Sequence, residues 1–352
     1  MTDQLLSQKL AGTSPDDTRK LAPKLELPRI AARAYAAQGG AYYTGDSLAL
    51  LRSRDFESLQ GRVQLLLTSP PYPLNEKKSY GNLTGKKYLS WIRSLAPLFS
   101  KLLTEDGSIV IEVGNSWEPG RPVQSLLAIE ALLAFTKAKG ANLRLIQQFV
   151  CYNPSRLPSP ASWVTVQPMR TVDSFTHVWW LAKTDRPKAD NRKVLKPYSN
   201  AMKDLLMRGT YNSGPRPSEH RVSERGFLVD RGGSIAHNFF ELEQMEAHRS
   251  VRLPNAFSFS NTASKDFFHR ACQERGIIPH PARMPEGLAS FFIEFLTDRG
   301  DLVLDPFGGS NTTGYVAALA GRQWIAIEAQ KDYVAQSKLR FLDPQLRRKR
   351  AV

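Results

Sequence analysis

The chain has 352 residues, with 48 Lys and Arg against 33 Asp and Glu, a formal net charge of +15 and a sequence pI near 9.8. A hydrophobic fraction of 41% supports a buried core and excludes a wholly disordered chain, while two distant cysteines, Cys151 and Cys272, exclude a disulfide scaffold and fit a reducing compartment. The basic surplus favours a polyanionic partner, nucleic acid first.

The length accommodates about two domains, or one large α/β unit with an insertion. No membrane association is expected. The most apolar stretch, residues 123–135, is shorter than the roughly 20 residues of a span and carries Glu130. The first residues lack the continuous apolar centre of a signal peptide, so a cytoplasmic protein is expected.

Residues 1–40 read as a polar, weakly helical leader broken by Gly39-Gly40. Residues 63–68 form a short apolar run stopped by Ser69-Pro70-Pro71-Tyr72, which predicts a buried strand. Leu89, Ile92, Leu95, Phe99 and Leu102 predict a helix over 88–103, closed by Asp106-Gly107. A strand over 108–113, a helix over 123–139 and strands over 143–152 and 176–182 follow. Residues 185–275 are rich in Arg, Ser, Asn, Gly and Pro and read as a loop-rich basic insert; Phe227, Phe239, Phe240, Phe257, Phe259, Phe267 and Phe268 argue against full disorder there. The earlier pattern returns with a helix over 287–297, a strand over 301–305, a helix over 312–320 and a strand over 323–328. The alternation predicts a mostly parallel sheet with helices on both faces. Its core is discontinuous, spanning 41–184 and 276–342, and residues 343–352 form a basic tail whose Arg347-Arg348-Lys349-Arg350 run is expected to be solvated.

Two strings carry chemistry. Asp305-Pro306-Phe307-Gly308-Gly309-Ser310-Asn311-Thr312-Thr313-Gly314 joins a strand to a helix. Glycines at such a turn admit close approach of a ligand to the backbone, and a helix start offers free N–H groups. Glu328 ends the next strand, where an acid can accept ribose hydroxyls. The string is neither G-x-G-x-x-G nor a phosphate loop, and no lysine follows its glycines. An acid precedes them instead, which suits a cofactor with a ribose and an ammonium group, as in S-adenosylmethionine. In the second string, Thr68-Ser69-Pro70-Pro71-Tyr72, two prolines remove N–H donors and leave carbonyl and hydroxyl acceptors beside an aromatic ring. That set suits a planar group bearing an amino substituent.

Together these strings resemble the amino-methylating DNA methyltransferases, in the permuted (beta) group that carries the target-base motif before the cofactor motif. Ser69 to Tyr72 match its [S/D/N]-P-P-[Y/F] motif and Asp305 to Thr313 its D-P-F-x-G-S-[G/N]-T-T motif. Thr44-Gly45-Asp46-Ser47-Leu48 looks like the motif whose acid lies near the cofactor adenine, and His280 to Pro285 like the motif before the cofactor loop. The resemblance covers about residues 41–340. Ser69 in place of Asp, with Asn311, points to the cytosine-N4 branch; adenine-N6 is the alternative, and a catalytically silent DNA-binding protein of the same fold is the reading from another class.

The resemblance implies a Rossmann-like S-adenosylmethionine-dependent sheet with a target-base half (41–184), a target-recognition insert (185–275) and a cofactor half (276–342). It implies site-specific transfer of a methyl group to N4 of a flipped cytosine in duplex DNA. The catalytic residues would be Ser69, Pro70, Pro71 and Tyr72. Asp46, Thr68, His280, Pro285, Asp305, Pro306, Phe307, Gly308, Gly309, Ser310, Asn311, Thr312 and Glu328 would hold the cofactor. Ser69 Oγ and the Pro70 carbonyl would accept N4–H bonds, Tyr72 would stack on the base, and the proton would leave late, to solvent or by relay. Arg170, Arg216, Arg221, Arg225 and Arg231 are candidate DNA contacts. No histidine or cysteine spacing suggests a metal, and neither cysteine follows a proline as cytosine-C5 chemistry would require. A prokaryotic, nucleoid-associated monomer or homodimer with a cognate restriction endonuclease completes the expectation.

Overall fold

The computed structural model describes residues 26–72, 83–153, 156–241, 266–280 and 283–348. Residues 1–25 of the leader, residues 242–265 of the insert with Phe257 and Phe259, Pro281 and Ala282 of the motif before the cofactor loop, and Lys349 and Arg350 of the tail lie outside the described residues.

Among the described residues a nine-stranded sheet organises the chain. Its strands are β1 (Arg33–Ala37), β2 (Gly40–Thr44), β3 (Val63–Thr68), β4 (Leu103–Gly114), β5 (Arg144–Tyr152), β6 (Phe175–Ala182), β9 (Phe239–Glu241), β10 (Leu302–Asp305) and β11 (Gln323–Glu328); β7 (Gly214–Pro215) and β8 (Arg221–Val222) form a separate hairpin. The spatial order is β1-β2-β11-β10-β3-β4-β6-β5-β9. From β2 to β4 all pairings are parallel, whereas β6 is antiparallel to both β4 and β5. The centre of the sheet therefore has the parallel character expected from the alternation of strands and helices.

Side-chain alternation divides the core into two layers. Along β3, Leu66 joins Ile92, Leu95, Phe99 and Phe135 on one face, against the helices α2 (Gly85–Leu102) and α3 (Leu127–Thr136). Leu65 and Leu67 join Phe292, Ile293, Val316 and Trp324 on the other, against α6 (Glu286–Leu296) and α7 (Thr312–Leu319). Every residue of β3 and β10 is buried, which explains why both read as continuous apolar runs rather than alternating ones.

Three elements differ from the sequence reading. Residues 33–37 are the strand β1, not the end of a helical leader: Gln38 and Gly39 take positive φ angles (45° and 81°) and turn the chain into a hairpin with β2, and Tyr35 packs on Tyr42, Trp324 and Phe341. The helix expected over 123–139 spans only Leu127–Thr136, because Gln124 bridges to Trp117 and the Ser125 N–H donates to the Ser116 carbonyl. Asp106-Gly107 lies within β4: Val63 faces Leu103 and Leu65 faces Ser108, so residues 104–107 bulge out of the ladder.

The basic region is attached to this core. Lys188 pairs with Asp298 and Asp301 (2.8 and 2.6 Å), and β9 pairs with the outer edge of β5. Between them lie the helix α4 (Asn200–Arg208) and the β7–β8 hairpin. A further helix, α5 (Phe267–Gln273), packs through Phe268 and Cys272 on Leu339.

Arg340 knits the glycine-rich turn to these helices. Its Nε donates to the Ser310 carbonyl (2.8 Å), its Nη2 to Thr312 Oγ1 (3.1 Å), and its Nη1 to Glu286 Oε1 (2.6 Å), while its Cζ lies 4.4 Å from the Phe268 ring centre. The pair is buried, with side-chain exposures of 2% and 12%. Removing one member leaves an uncompensated charge. Arg340→Ala is expected to cost about 3 kcal/mol of unfolding free energy, read from denaturant titration.

Candidate active site

The pairing of β3 with β10 sets Thr68 and Asp305 side by side at the carboxyl ends of two strands, where open α/β sheets hold ligands. Thr68 Oγ1 donates to Asp305 Oδ1 and Thr313 Oγ1 to Oδ2, each at 2.7 Å; the Phe307 N–H adds a third donor at 3.1 Å. Burial outweighs these donors and pushes the Asp305 carboxyl up to about 6.

Beyond Asp305 the chain turns sharply. The Gly308 N–H donates to the Ile327 carbonyl (2.8 Å) and the Gly309 N–H to Glu328 Oε2 (3.1 Å). Gly309 sits at φ +48°, and a side chain there would press within 3.2 Å of His280 Nε2. Asn311, also left-handed, caps α7 by accepting from the Gly314 N–H at 3.1 Å. Glu328 Oε1 accepts from the Gln330 N–H (2.9 Å), and burial raises its carboxyl above the ordinary range. Asp46 caps the short helix α1 (Ser47–Arg52), accepting from the Ala49 N–H at 2.8 Å.

These groups open onto one cavity of about 620 Å³, within the size range of small-molecule sites. Of the residues expected at the cofactor, Asp46, His280, Pro285, Asp305 and Glu328 line it, as do Phe307, Gly308, Gly309, Ser310 and Thr312. Thr68, Pro306 and Asn311 stand behind the wall instead. Thr68 is spent on Asp305, the Pro306 carbonyl accepts from Ser47 Oγ, and Asn311 Nδ2 donates to the Tyr35 hydroxyl.

Ser69, Pro70, Pro71 and Tyr72 line the other end. The Tyr72 ring lies on the backbone of Gly114, where a Cβ would come within 2.6 Å of Cδ2. Behind it stands Glu112, on the buried strand β4, accepting from Thr176 Oγ1 at 3.0 Å. Burial pushes the Glu112 carboxyl up to about 7, against the lowering effect of Thr176, Arg156 and the Ser69 and Tyr72 hydroxyls. Burial, reinforced by Glu112, also raises the Tyr72 phenol far above its ordinary range and the Cys151 thiol to about 12. Cys151 is therefore a thiol at neutral pH, unsuited to nucleophilic attack.

Sequence reasoning missed Glu112, Gly114, Arg156 and Thr176. Glu112 had one local signal, a lone acid inside the run Ile109-Val110-Ile111-Glu112-Val113. Arg170 is not placed as a phosphate contact. Its guanidinium lies 3.3 Å from the Trp117 ring centre and its three nitrogens are buried without hydrogen-bond partners. Arg216, Arg221, Arg225 and Arg231 cluster on and after the β7–β8 hairpin, Arg216 half-buried and the other three exposed. Among the described residues no group of three or more His, Cys, Asp or Glu side chains is arranged to hold a metal ion, and no helix is long and apolar enough to cross a membrane.

Comparison with known proteins agrees with this geometry. Residues 63–339 match a family described as DNA methylase. The chain is 41% identical over 312 residues to the type II methyltransferase M.PvuII of Proteus hauseri, across 88% of this chain and 86% of that protein. It is 24% identical over 315 residues to the type II methyltransferase M.EcaI of Enterobacter cloacae, across 81% of this chain and 65% of that one. A solved structure described as PvuII DNA methyltransferase (cytosine-N4-specific) superposes with a TM-score of 0.66 at 35% identity over 89% of each chain. The α/β fold read from the sequence is thus the fold of a solved DNA methyltransferase.

The raised Glu112 carboxyl has a consequence for stability. The native state holds a proton that the unfolded chain releases, so stability falls as pH rises from about 4.5 to about 7. Denaturant midpoints measured across that window are expected to drop with pH, and Glu112→Gln to flatten part of the slope; Asp305, raised from 3.8 to about 6, and the buried Glu286 and Glu328 carboxyls, also raised, act with the same sign.

Proposed function

The chain belongs to the DNA methylase family, and on that premise we propose that it transfers a methyl group from S-adenosylmethionine to the exocyclic N4 of a cytosine flipped out of duplex DNA. The observation that carries this reading is a single cavity with two chemically different ends. One end is a left-handed glycine turn between the acids Asp305 and Glu328; the other is the Ser69-Pro70-Pro71-Tyr72 corner over the buried carboxyl of Glu112.

The donor set fits the cofactor. Glu328 and Asp46 are acceptors for ribose and adenine substituents, Gly309 leaves backbone bare where a side chain would press on His280 in the cavity wall, Gly308 lets the turn pack closely on Tyr42 and Ala326, and Asp305 offers a counter-charge for an ammonium group. When bound, S-adenosylmethionine supplies an electrophilic methyl group on a positively charged sulfur. All other steps belong to the chain.

An exocyclic amine is a weak nucleophile because its lone pair is delocalised into the ring. Ser69 Oγ and the Pro70 carbonyl accept its N–H bonds and draw the nitrogen toward tetrahedral geometry. Tyr72, wedged on Gly114, holds the ring plane. Positioning and fixed dipoles supply most of the acceleration. The serine hydroxyl alone is too weak a base, but it faces a carboxyl whose protonation is balanced near neutrality. Glu112 therefore gives the departing proton a destination inside the protein, through Ser69.

The arginines of the β7–β8 region, Arg216, Arg221, Arg225 and Arg231, are the DNA contacts we propose for the basic insert, residues 185–275. Cytosine-N4 specificity follows from Ser69 in the base corner and from the likeness to a cytosine-N4-specific enzyme. The likeness to a type II methyltransferase also supports pairing with a restriction endonuclease of the same specificity, in a prokaryotic cytoplasm beside the chromosome.

The direct test is incubation with labelled S-adenosylmethionine and mixed-sequence duplex DNA, digestion to nucleosides and mass spectrometry. N4-methyldeoxycytidine is the expected product; N6-methyldeoxyadenosine, or no labelled nucleoside, would overturn the assignment. Ser69→Ala and Tyr72→Ala are expected to lower kcat by roughly 100-fold while leaving the cofactor Kd within about twofold, because both act on the base rather than the cofactor.

A further inference from the structure

The strand β5 delivers Cys151 to the cavity wall, and residues 156–174 form a long loop outside the sheet before the chain returns as β6. The root of this loop is fixed. The Asn153 N–H donates to the Ser174 carbonyl (2.7 Å), the Arg156 N–H to the Asn153 carbonyl (3.2 Å), and Arg156 Nη1 to the Phe175 carbonyl (3.1 Å). Asn153 and Arg156 both line the base end of the cavity. The residue after Arg156, one Cα step of about 3.8 Å away, is Leu157, which is 79% exposed.

Further along, the loop exposes Val166 and Met169, and it is braced there as well. The Trp163 carbonyl accepts from the Met169 and Arg170 N–H groups, and Arg170 lies over Trp117. The rim beside the base corner is therefore a braced segment with apolar side chains turned outward, on a chain whose net charge is +15. Phosphate contacts do not need apolar side chains. The interior of a base stack accepts them, and a duplex that has lost a base to a pocket presents an apolar gap where the base stood.

We propose that Leu157 is the wedge that enters the duplex at the target step and fills the gap left by the flipped cytosine. This rests on the DNA-methylating function proposed above. Leu157 is selected over Val166 and Met169 because it alone of the three adjoins a residue of the cavity wall. Arg156, turned inward, and Leu157, turned outward, then divide the work: one sits with the extruded base, the other with the stack it left.

The test uses the full chain and duplex oligonucleotides carrying the methylated sequence mapped from product DNA. Two substrates are compared, one with the target cytosine paired to guanine and one with it opposite an abasic site, where no pair has to be broken. Leu157→Ala is expected to lower kcat/KM roughly tenfold or more on the paired duplex and less than about threefold on the abasic one. Leu157→Met retains a wedge and is expected to stay close to wild type on both, and Val166→Ala serves as a control on the same loop. Unchanged activity of Leu157→Ala on the paired duplex, or an equal loss on both substrates, would overturn the wedge. A wild-type protein that leaves no methylated cytosine to map would instead overturn the proposed function, so the two failures are distinguishable. Leu157 is exposed, and thermal melting of the variant checks that the fold is intact.

Discussion

The site depends on one buried carboxylate. Asp305 takes a hydroxyl from Thr68 on one oxygen and from Thr313 on the other. Thr68 is the residue before the base corner, and Thr313 lies in the first turn of the helix after the cofactor turn. Segments separated by more than half the chain are thereby fixed to each other through a single side chain. Breaking either hydroxyl contact would leave a buried acceptor short of a partner, a larger cost than the loss of an exposed hydrogen bond. It would also release the distance between the proposed electrophile and the proposed nucleophile, on which in-line transfer depends.

The same burial that makes Asp305 costly to disturb sets the chemistry at the opposite end. Glu112, Tyr72 and Cys151 are all raised by loss of solvent, and the low local dielectric strengthens every remaining hydrogen bond among them. Three outcomes follow from one cause. The thiol is kept from becoming a competing nucleophile. The phenol stays neutral, so its ring packs on Gly114 without a charge to solvate. The carboxyl alone is left near neutrality, close to the hydroxyl that would bear the base's proton. An exposed carboxylate at position 112 would be ionised far below neutral pH and would be a weaker proton acceptor.

Legibility in the sequence follows locality. The Ser69 to Tyr72 and Asp305 to Thr313 strings are contiguous, and each marks a strand end by its own prolines or glycines, so both ends of the cavity are readable from the residues alone. The strands β3, β10 and β11 are readable for the same reason. Arg340 and Thr176 carry no local signal, since their roles come from pairings between distant segments. Gly114 matters only because β4 ends beside the turn that carries Tyr72. Residues 33–37 read as helical because alanines favour a helix in isolation, whereas Tyr35 gains more by packing on Trp324 and Phe341. Motif membership also fails to separate residues that face the ligand from those that hold them: Thr68, Pro306 and Asn311 belong to the strings yet stand behind the cavity wall.

The outer edge of the sheet is also a mechanical link. β9, the last described element of the insert before residue 242, pairs with β5 from Val150 to Tyr152, and Asn238 Nδ2 donates to the Gln148 carbonyl at 2.9 Å. The strand β5 therefore carries Cys151 on the cavity wall, leads directly into the rim loop with Leu157, and is hydrogen-bonded to the insert that holds the proposed DNA-contacting arginines. The three tasks proposed above (gripping the duplex, opening the stack and receiving the base) would then share one strand and agree in register. Ladder hydrogen bonds along a strand resist sliding, because a one-residue slip would turn every side chain to the opposite face. A grip on DNA through the insert would thus fix where the stack is opened relative to Ser69, with no hinge required between recognition and chemistry.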